Sequence, residues 1–157
     1  MRLFVSAVLI LTSSHVFAGD QCDRRAELGG TLAVTKYTAT EALKENPGTG
    51  PTNEVWRILA FMADESYRKL GDSDEQIMQT AKLVERTNIS RDWRIELLVF
   101  NEFFRALCEA RIDVTSLQSV NAAALGACFG DAPPGRADFP ACIRAELRAL
   151  HGKLPER

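Results

Sequence analysis

Apolar residues recur along this chain at intervals of three and four, and almost nowhere do they alternate as a half-buried strand requires. A helix returns to the same face about every 3.6 residues and a strand every two, so the spacing restricts the chain to helices that each bury one side. The expected fold is all-α, a compact bundle of about five to six helices.

Caps and breakers divide the pattern. The first helix is expected over about 21–46, ending before Pro47-Gly48. Its weak point is Gly29-Gly30 followed by Thr31-Leu32-Ala33-Val34-Thr35-Lys36-Tyr37-Thr38, a stretch rich in β-branched residues that suits a strand or a helix break. No second segment offers itself as a strand partner, and a lone strand leaves its backbone unsatisfied, so helix is preferred. The two glycines would then let a neighbouring helix approach closely. Residues 48–51 read as a loop, with Thr52 as N-cap of a second helix running to Leu70 and Gly71 as its left-handed stop. Ser73 and Gln76 form a capping-box pattern for a third helix over about 74–87. Ser90 is expected to cap a fourth, reaching about Arg111. That helix carries Trp93, Leu97, Phe100, Phe104 and Leu107 at helical spacing, with Leu98, Val99 and Phe103 beside them. It is the most apolar and should be central. Thr115 and Gln118 suggest another capping box, opening a fifth helix through Leu117, Val120, Ala124, Leu125 and Cys128. Asp138 then caps a last helix, with Pro140 in its first turn and a stop near Gly152.

Two disulfides are expected to staple this frame. The N-terminus reads as a secretory leader: Met1-Arg2 is a short basic start, Leu3 to Leu11 an almost unbroken apolar run, and Val16-Phe17-Ala18 a cleavage site. The apolar run is too short for a spanning helix, which needs about 18 residues or more. Cys22 is too far from the cut to carry a lipid. Residues 1–18 are therefore read as a cleaved signal peptide and 19–157 as one helical domain. The destination is a bacterial periplasm or the cell exterior, with no stable membrane anchor. An exported chain with an even number of cysteines forms disulfides. Cys128 closes one helix and Cys142 opens the next, so a short hairpin pairs them, which leaves Cys22 for Cys108. Spacings of 86, 20 and 14 residues exclude the close pairs of a zinc site, a Cys-x-x-Cys redox motif or a haem attachment. No metal or cofactor is expected.

Composition removes other classes. With 157 residues the chain suits a single domain, and 19 Lys+Arg against 21 Asp+Glu leave a formal charge of −2. That balance gives no electrostatic footprint for nucleic acid. Charge runs, low-complexity tracts and internal repeats are absent.

Catalytic constellations are equally thin. His151 is the single histidine after the leader and sits in the last helical turn, where it can simply face open carbonyls. Gly29-Gly30 and Gly48-Thr49-Gly50 lack the lysine and spacing of a phosphate loop. Glu65-Ser66-Tyr67, followed by Ile77-Met78-Gln79-Thr80-Ala81, faintly resembles the catalytic segment of lytic transglycosylases, which implies a carboxylate acting on the cell wall. The Gly-Ala-x-Gly-Leu run of that family is missing, the interval is too short, and Leu70-Gly71-Asp72-Ser73 inserts a turn. Glu65 is therefore read as a solvated residue beside Arg68 and Lys69.

Two residues stand out on helical wheels. Glu96 falls inside the apolar arc of the fourth helix, where a carboxylate must meet an arginine or hold a proton, unless it leans out past the edge of the core. Phe61 points away from the apolar face made by Val55, Trp56, Leu59, Met62, Ala63 and Tyr67, into charged neighbours. An isolated aromatic there suits a partner anchor, or is covered by the loop around Pro47. Both are kept as candidate binding residues, with no catalytic residue assigned. The expected function is a non-enzymatic, inhibitor-like binding module acting on a protein partner. The alternative is a small periplasmic cell-wall hydrolase using a carboxylate as general acid or base.

Overall fold

The computed structural model describes residues 4–45, 55–117, 119–131 and 138–151, with side chains from residue 21 onward except at 43, 45, 55–58, 131 and 151. Among them are six α-helices, one 3-10 turn and no strand: α1 (Phe4–Glu45), α2 (Val55–Lys69), α3 (Asp74–Arg86), α4 (Trp93–Glu109), the 3-10 turn Val114–Ser116, α5 (Ala122–Asp131) and α6 (Asp138–His151). The chain is an all-α bundle held by two disulfides.

α1 passes through the threonine-rich stretch unbroken because each threonine hydroxyl is absorbed by the turn before it. Thr31, Thr35, Thr38 and Thr40 donate to the carbonyls of Glu27, Thr31, Val34 and Lys36 at 2.8, 2.9, 3.1 and 2.8 Å. This back-bonding is the helical alternative open to a β-branched hydroxyl residue. The preceding glycines form the contact with α4. A Cβ on Gly29 would lie 2.1 Å from the Phe104 ring, and one on Gly30 would lie 3.1 Å from the Leu97 carbonyl.

α2 ends as expected. Gly71 takes φ 88°, while the amides of Asp72 and Gly71 donate to the carbonyls of Tyr67 and Arg68 at 3.1 and 2.9 Å. The Ser73–Gln76 capping box is present in both directions, with N–O distances of 2.9 and 3.3 Å. Elsewhere the boundaries shift. Asp92, not Ser90, caps α4 by accepting from the Arg94 amide at 2.9 Å, and the Ser90 hydroxyl closes the turn ahead of it by accepting from the Asp92 amide. The expected fifth helix does not start at Thr115. Asp113 takes both the amide and the hydroxyl of Thr115 at 2.9 Å, so that threonine caps nothing and only one 3-10 turn forms. α5 instead begins at Ala122, where the Asn121 side chain accepts from the Ala124 amide at 3.1 Å. Asp138 is the first residue of α6 rather than its cap. The expected loop at 48–51, the Thr52 cap and Gln118 lie outside the described residues.

α4 is central: α1 lies along it, α6 packs on another side, α5 touches both α4 and α6, and the α2–α3 hairpin sits against α1. Val99, Phe100 and Phe103 are fully buried, joined by Leu59 and Tyr67 from α2, Ile77 and Val84 from α3, and Ile143 from α6. Phe104 stacks on Phe100 at 6.1 Å and meets Phe103 edge-on at 5.6 Å. Leu98, counted among the apolar residues of this helix, is exposed. Cys22–Cys108 ties α1 to the end of α4 with Cα atoms 5.4 Å apart, and Cys128–Cys142 ties α5 to α6 at 5.6 Å, the expected pairing.

Candidate functional site

The outward side of α2 carries the first candidate. Leu59, Ala63 and Tyr67, spaced by four, form the stripe this helix buries. The side chains of Val55 and Trp56 lie outside the described ones, and Met62, assigned to this face from the sequence, is 54% exposed. Phe61 beside it is 82% exposed, while Pro47, offered by the sequence as its cover, lies outside the described residues. The next two turns on the Phe61 side hold charges that neutralise one another: Arg68 with Asp64 and Asp74 at 2.7 Å each, and Lys69 with Glu65 at 2.6 Å.

Glu96 does not lean into solvent. It is 3% exposed, with one oxygen 2.8 Å from Lys36 Nζ on α1 and the other accepting from the Ile89 amide at 3.0 Å. The Lys36 ammonium also donates to the Thr87 carbonyl at 2.8 Å and sits 5.5 Å from the Phe100 ring centre. Burial lowers the Lys36 pKa from the usual lysine value, and the hydrogen bond and charge of Glu96 offset part of that. A cavity lined by Lys36, Tyr37, Arg91 and Glu96 opens beside the pair, and both members hydrogen-bond within the protein. Glu96 therefore joins α1, α4 and the α3–α4 connection. Phe61 lies at the surface and Glu96 in the interior, so the two form no shared site. Lys36 is the partner that sequence reasoning missed; its signal is its place one turn after Leu32 and Ala33 on the buried face of α1.

A second site is built where α1, the α2–α3 turn and the end of α4 converge around a cavity of about 340 Å³. Arg25 clasps Asp72 with both guanidinium nitrogens, at 2.6 and 2.5 Å, and also donates to the Leu70 carbonyl at 3.3 Å. The Asp72 hydrogen bond raises the Arg25 pKa further despite burial. Tyr67 lines the same cavity at 1% exposure, and among the described residues its hydroxyl has no hydrogen-bond partner. Burial, with Asp72 nearby, pushes its phenol well up. On the far side Asp113 accepts from Thr115 and from the Gln76 amide at 3.2 Å. Burial raises the Asp113 carboxyl, but these hydrogen bonds and Arg25 outweigh it and leave the pKa lowered. The sequence marks none of these residues as a site, reading Tyr67 as part of a buried face and Gln76 and Thr115 as capping residues, because they come from separate elements and join only through the fold.

The remaining carboxylates are structural or solvated. Glu65 is 82% exposed and bound to Lys69, so neither burial nor a second acid prepares it for proton transfer. Glu102 is buried beside Arg105 and Arg144 at 3.6 and 3.7 Å, separations too long for hydrogen bonds, and its Oε1 is unpartnered. Burial raises its pKa, and the two arginines and further acidic neighbours only adjust it. Among the described residues no group of His, Cys, Asp and Glu is placed to hold a metal ion.

These features define a disulfide-stapled helical bundle with an exposed apolar pair on α2 and a polar cavity beside Tyr67. Comparison with protein-family models, with curated proteins and with solved structures finds no match for the chain. The two disulfides suit an oxidising compartment, and no helix among the described residues is long and apolar enough to cross a membrane.

Proposed function

We propose that this chain is an exported, non-enzymatic binding module that matures by loss of residues 1–18 and acts in the periplasm or outside the cell. It engages a protein partner through the outward side of α2. The observation that carries this reading is Phe61, 82% exposed next to Met62. An aromatic beside a methionine supplies the apolar centre of an interface, and the self-neutralised charges on the following turns supply a polar rim. A cell-wall hydrolase has less support, since Glu96 is engaged by Lys36 and Ile89 and Glu65 by Lys69.

The test compares wild type and Phe61→Ala as baits in an extract of the exported fraction, with Glu75→Ala on α3 as a surface control. Truncating a real anchor costs about 1–4 kcal/mol of binding and leaves the melting temperature unchanged. The captured protein should be lost with Phe61→Ala and kept with Glu75→Ala. Equal capture by all three, or a large fall in stability of Phe61→Ala, removes the reading.

A further inference from the structure

The cavity beside Tyr67 is the strongest place in the molecule for a function distinct from the outward side of α2. Its walls differ in kind. Leu107, Ile112 and Val114 make one side apolar, while the Arg25–Asp72 pair and Gln76 make the other polar. Four of the polar lining residues are already committed, Arg25 to Asp72 and Gln76 to Asp113. Among the rest, which include Gln21 and Thr80, two stand out. The Tyr67 hydroxyl is buried without a partner, and Arg111 is exposed with no acidic partner among the described residues.

Arg111 is unusual in a second way. The two helix ends bordering this cavity finish with the same turn. After α2 the left-handed position is Gly71 at φ 88°, and after α4 it is Arg111 at φ 55°. The amides of Arg111 and Ile112 close that turn on the carbonyls of Cys108 and Leu107 at 3.0 Å. Glycine is the favoured residue at such a position and a long side chain is not. The conformation therefore does not account for the arginine, whereas its side chain does bring a cation to the cavity.

We propose that this cavity binds a carboxylate carried on a short apolar body, the chemistry shared by a free apolar amino acid and by the C-terminal residue of a peptide. Arg111 takes the carboxylate, because a guanidinium presents two parallel donors to two oxygens. Leu107, Ile112 and Val114 take the apolar body. The Tyr67 ring adds to the wall, its hydroxyl sealed from solvent. A volume of about 340 Å³ lies at the small end of ligand cavities, which suits one residue rather than a chain.

The test is a calorimetric titration of the purified protein with N-acetyl-leucine and with its amide, N-acetyl-leucinamide. The acid should bind saturably and the amide about tenfold more weakly or not at all. Arg111→Gln should weaken binding of the acid about tenfold while melting like wild type, because the side chain is exposed. Tyr67→Phe, which removes only a sealed and unpaired hydroxyl, should bind the acid like wild type and melt no lower. Titration with free leucine and with acetyl-Gly-Gly-Leu then ranks the two sources, and either order upholds the site. Absence of saturable binding of N-acetyl-leucine at millimolar concentration, equal binding of acid and amide, or undiminished binding by Arg111→Gln overturns it.

Discussion

Replacing Gly29 by alanine tests the tightest contact in the fold. The new methyl would lie 2.1, 2.7 and 2.9 Å from three atoms of the Phe104 ring, where carbon atoms normally sit about 3.5–4.0 Å apart. The ring cannot swing away easily, because Phe104 is 5% exposed and held between Phe100 and Phe103. Relief must come from moving α1 off α4, and those helices are joined by the Cys22–Cys108 bridge two turns earlier. Overpacking of this kind costs about 1–3 kcal/mol or more, and an overlap above 1 Å on a core ring belongs at the upper end, ~3 kcal/mol. Alanine returns ~1 kcal/mol of helix propensity over glycine. The net expectation is a loss of ~2 kcal/mol, or about 4–8 °C in melting temperature for a domain of this size. Gly30→Ala is the internal control. Its methyl would meet only the Leu97 carbonyl at 3.1 Å and side-chain atoms at 3.5 and 3.6 Å, so a shift of a few tenths of an ångström relieves it. The propensity gain should then leave that variant within ~0.5 kcal/mol of wild type. Thermal and urea melts followed by far-ultraviolet circular dichroism measure both. If Gly29→Ala is as stable as wild type, or Gly30→Ala is the worse of the two, the close-approach argument fails.

The contrast between these glycines shows what kind of information the sequence carries. Gly29-Gly30 is legible as a place where another helix could come near, but the partner ring is not, because Phe104 lies 75 positions away and any apolar face would serve the pattern equally. Local rules succeed where all their atoms sit within one turn. The Ser73–Gln76 box and the Gly71 stop are complete within four residues, and both form. The Thr115–Gln118 pattern looks just as complete, yet Asp113 competes from outside the motif and captures the threonine. The disulfide pairing is legible because helix order brings Cys128 and Cys142 to adjoining ends. Charge partners are the least legible. Glu96 is conspicuous on its wheel, but whether it meets a cation depends on α1 passing at the depth of Lys36, some 60 positions earlier. The cavity around Tyr67 is invisible for the same reason: Arg25, Tyr67 and Arg111 are ordinary in their own segments and become a group only when three elements converge.

Three further outcomes follow from the same structure. Purified exported protein should begin at Gly19; Edman sequencing that returns Met1 refutes the processing proposed for residues 1–18. Lys36→Met and Glu96→Leu should each cost about 3–5 kcal/mol, because either leaves a buried charge alone, whereas the double substitution should lose less than the single changes combined; additive losses in a double-mutant cycle would show that the pair is not coupled. Glu102 sets a pH dependence whose sign follows from its surroundings. Burial holds its carboxyl above the ordinary value, so between the unfolded and folded pKa the native state binds more protons than the unfolded chain. Its contribution to stability is present in full below the ordinary glutamate value and is lost as pH rises through the raised one. Glu102→Gln abolishes that titration while leaving every other carboxylate in place, so the stability of the variant minus that of wild type should climb as pH rises above the ordinary glutamate value and level off once the raised pKa is passed. Arg105 and Arg144, at 3.6 and 3.7 Å, act in the opposite direction by favouring the charged form. If they outweighed burial, the difference would fall with rising pH, and urea melts of both proteins across that range would show it.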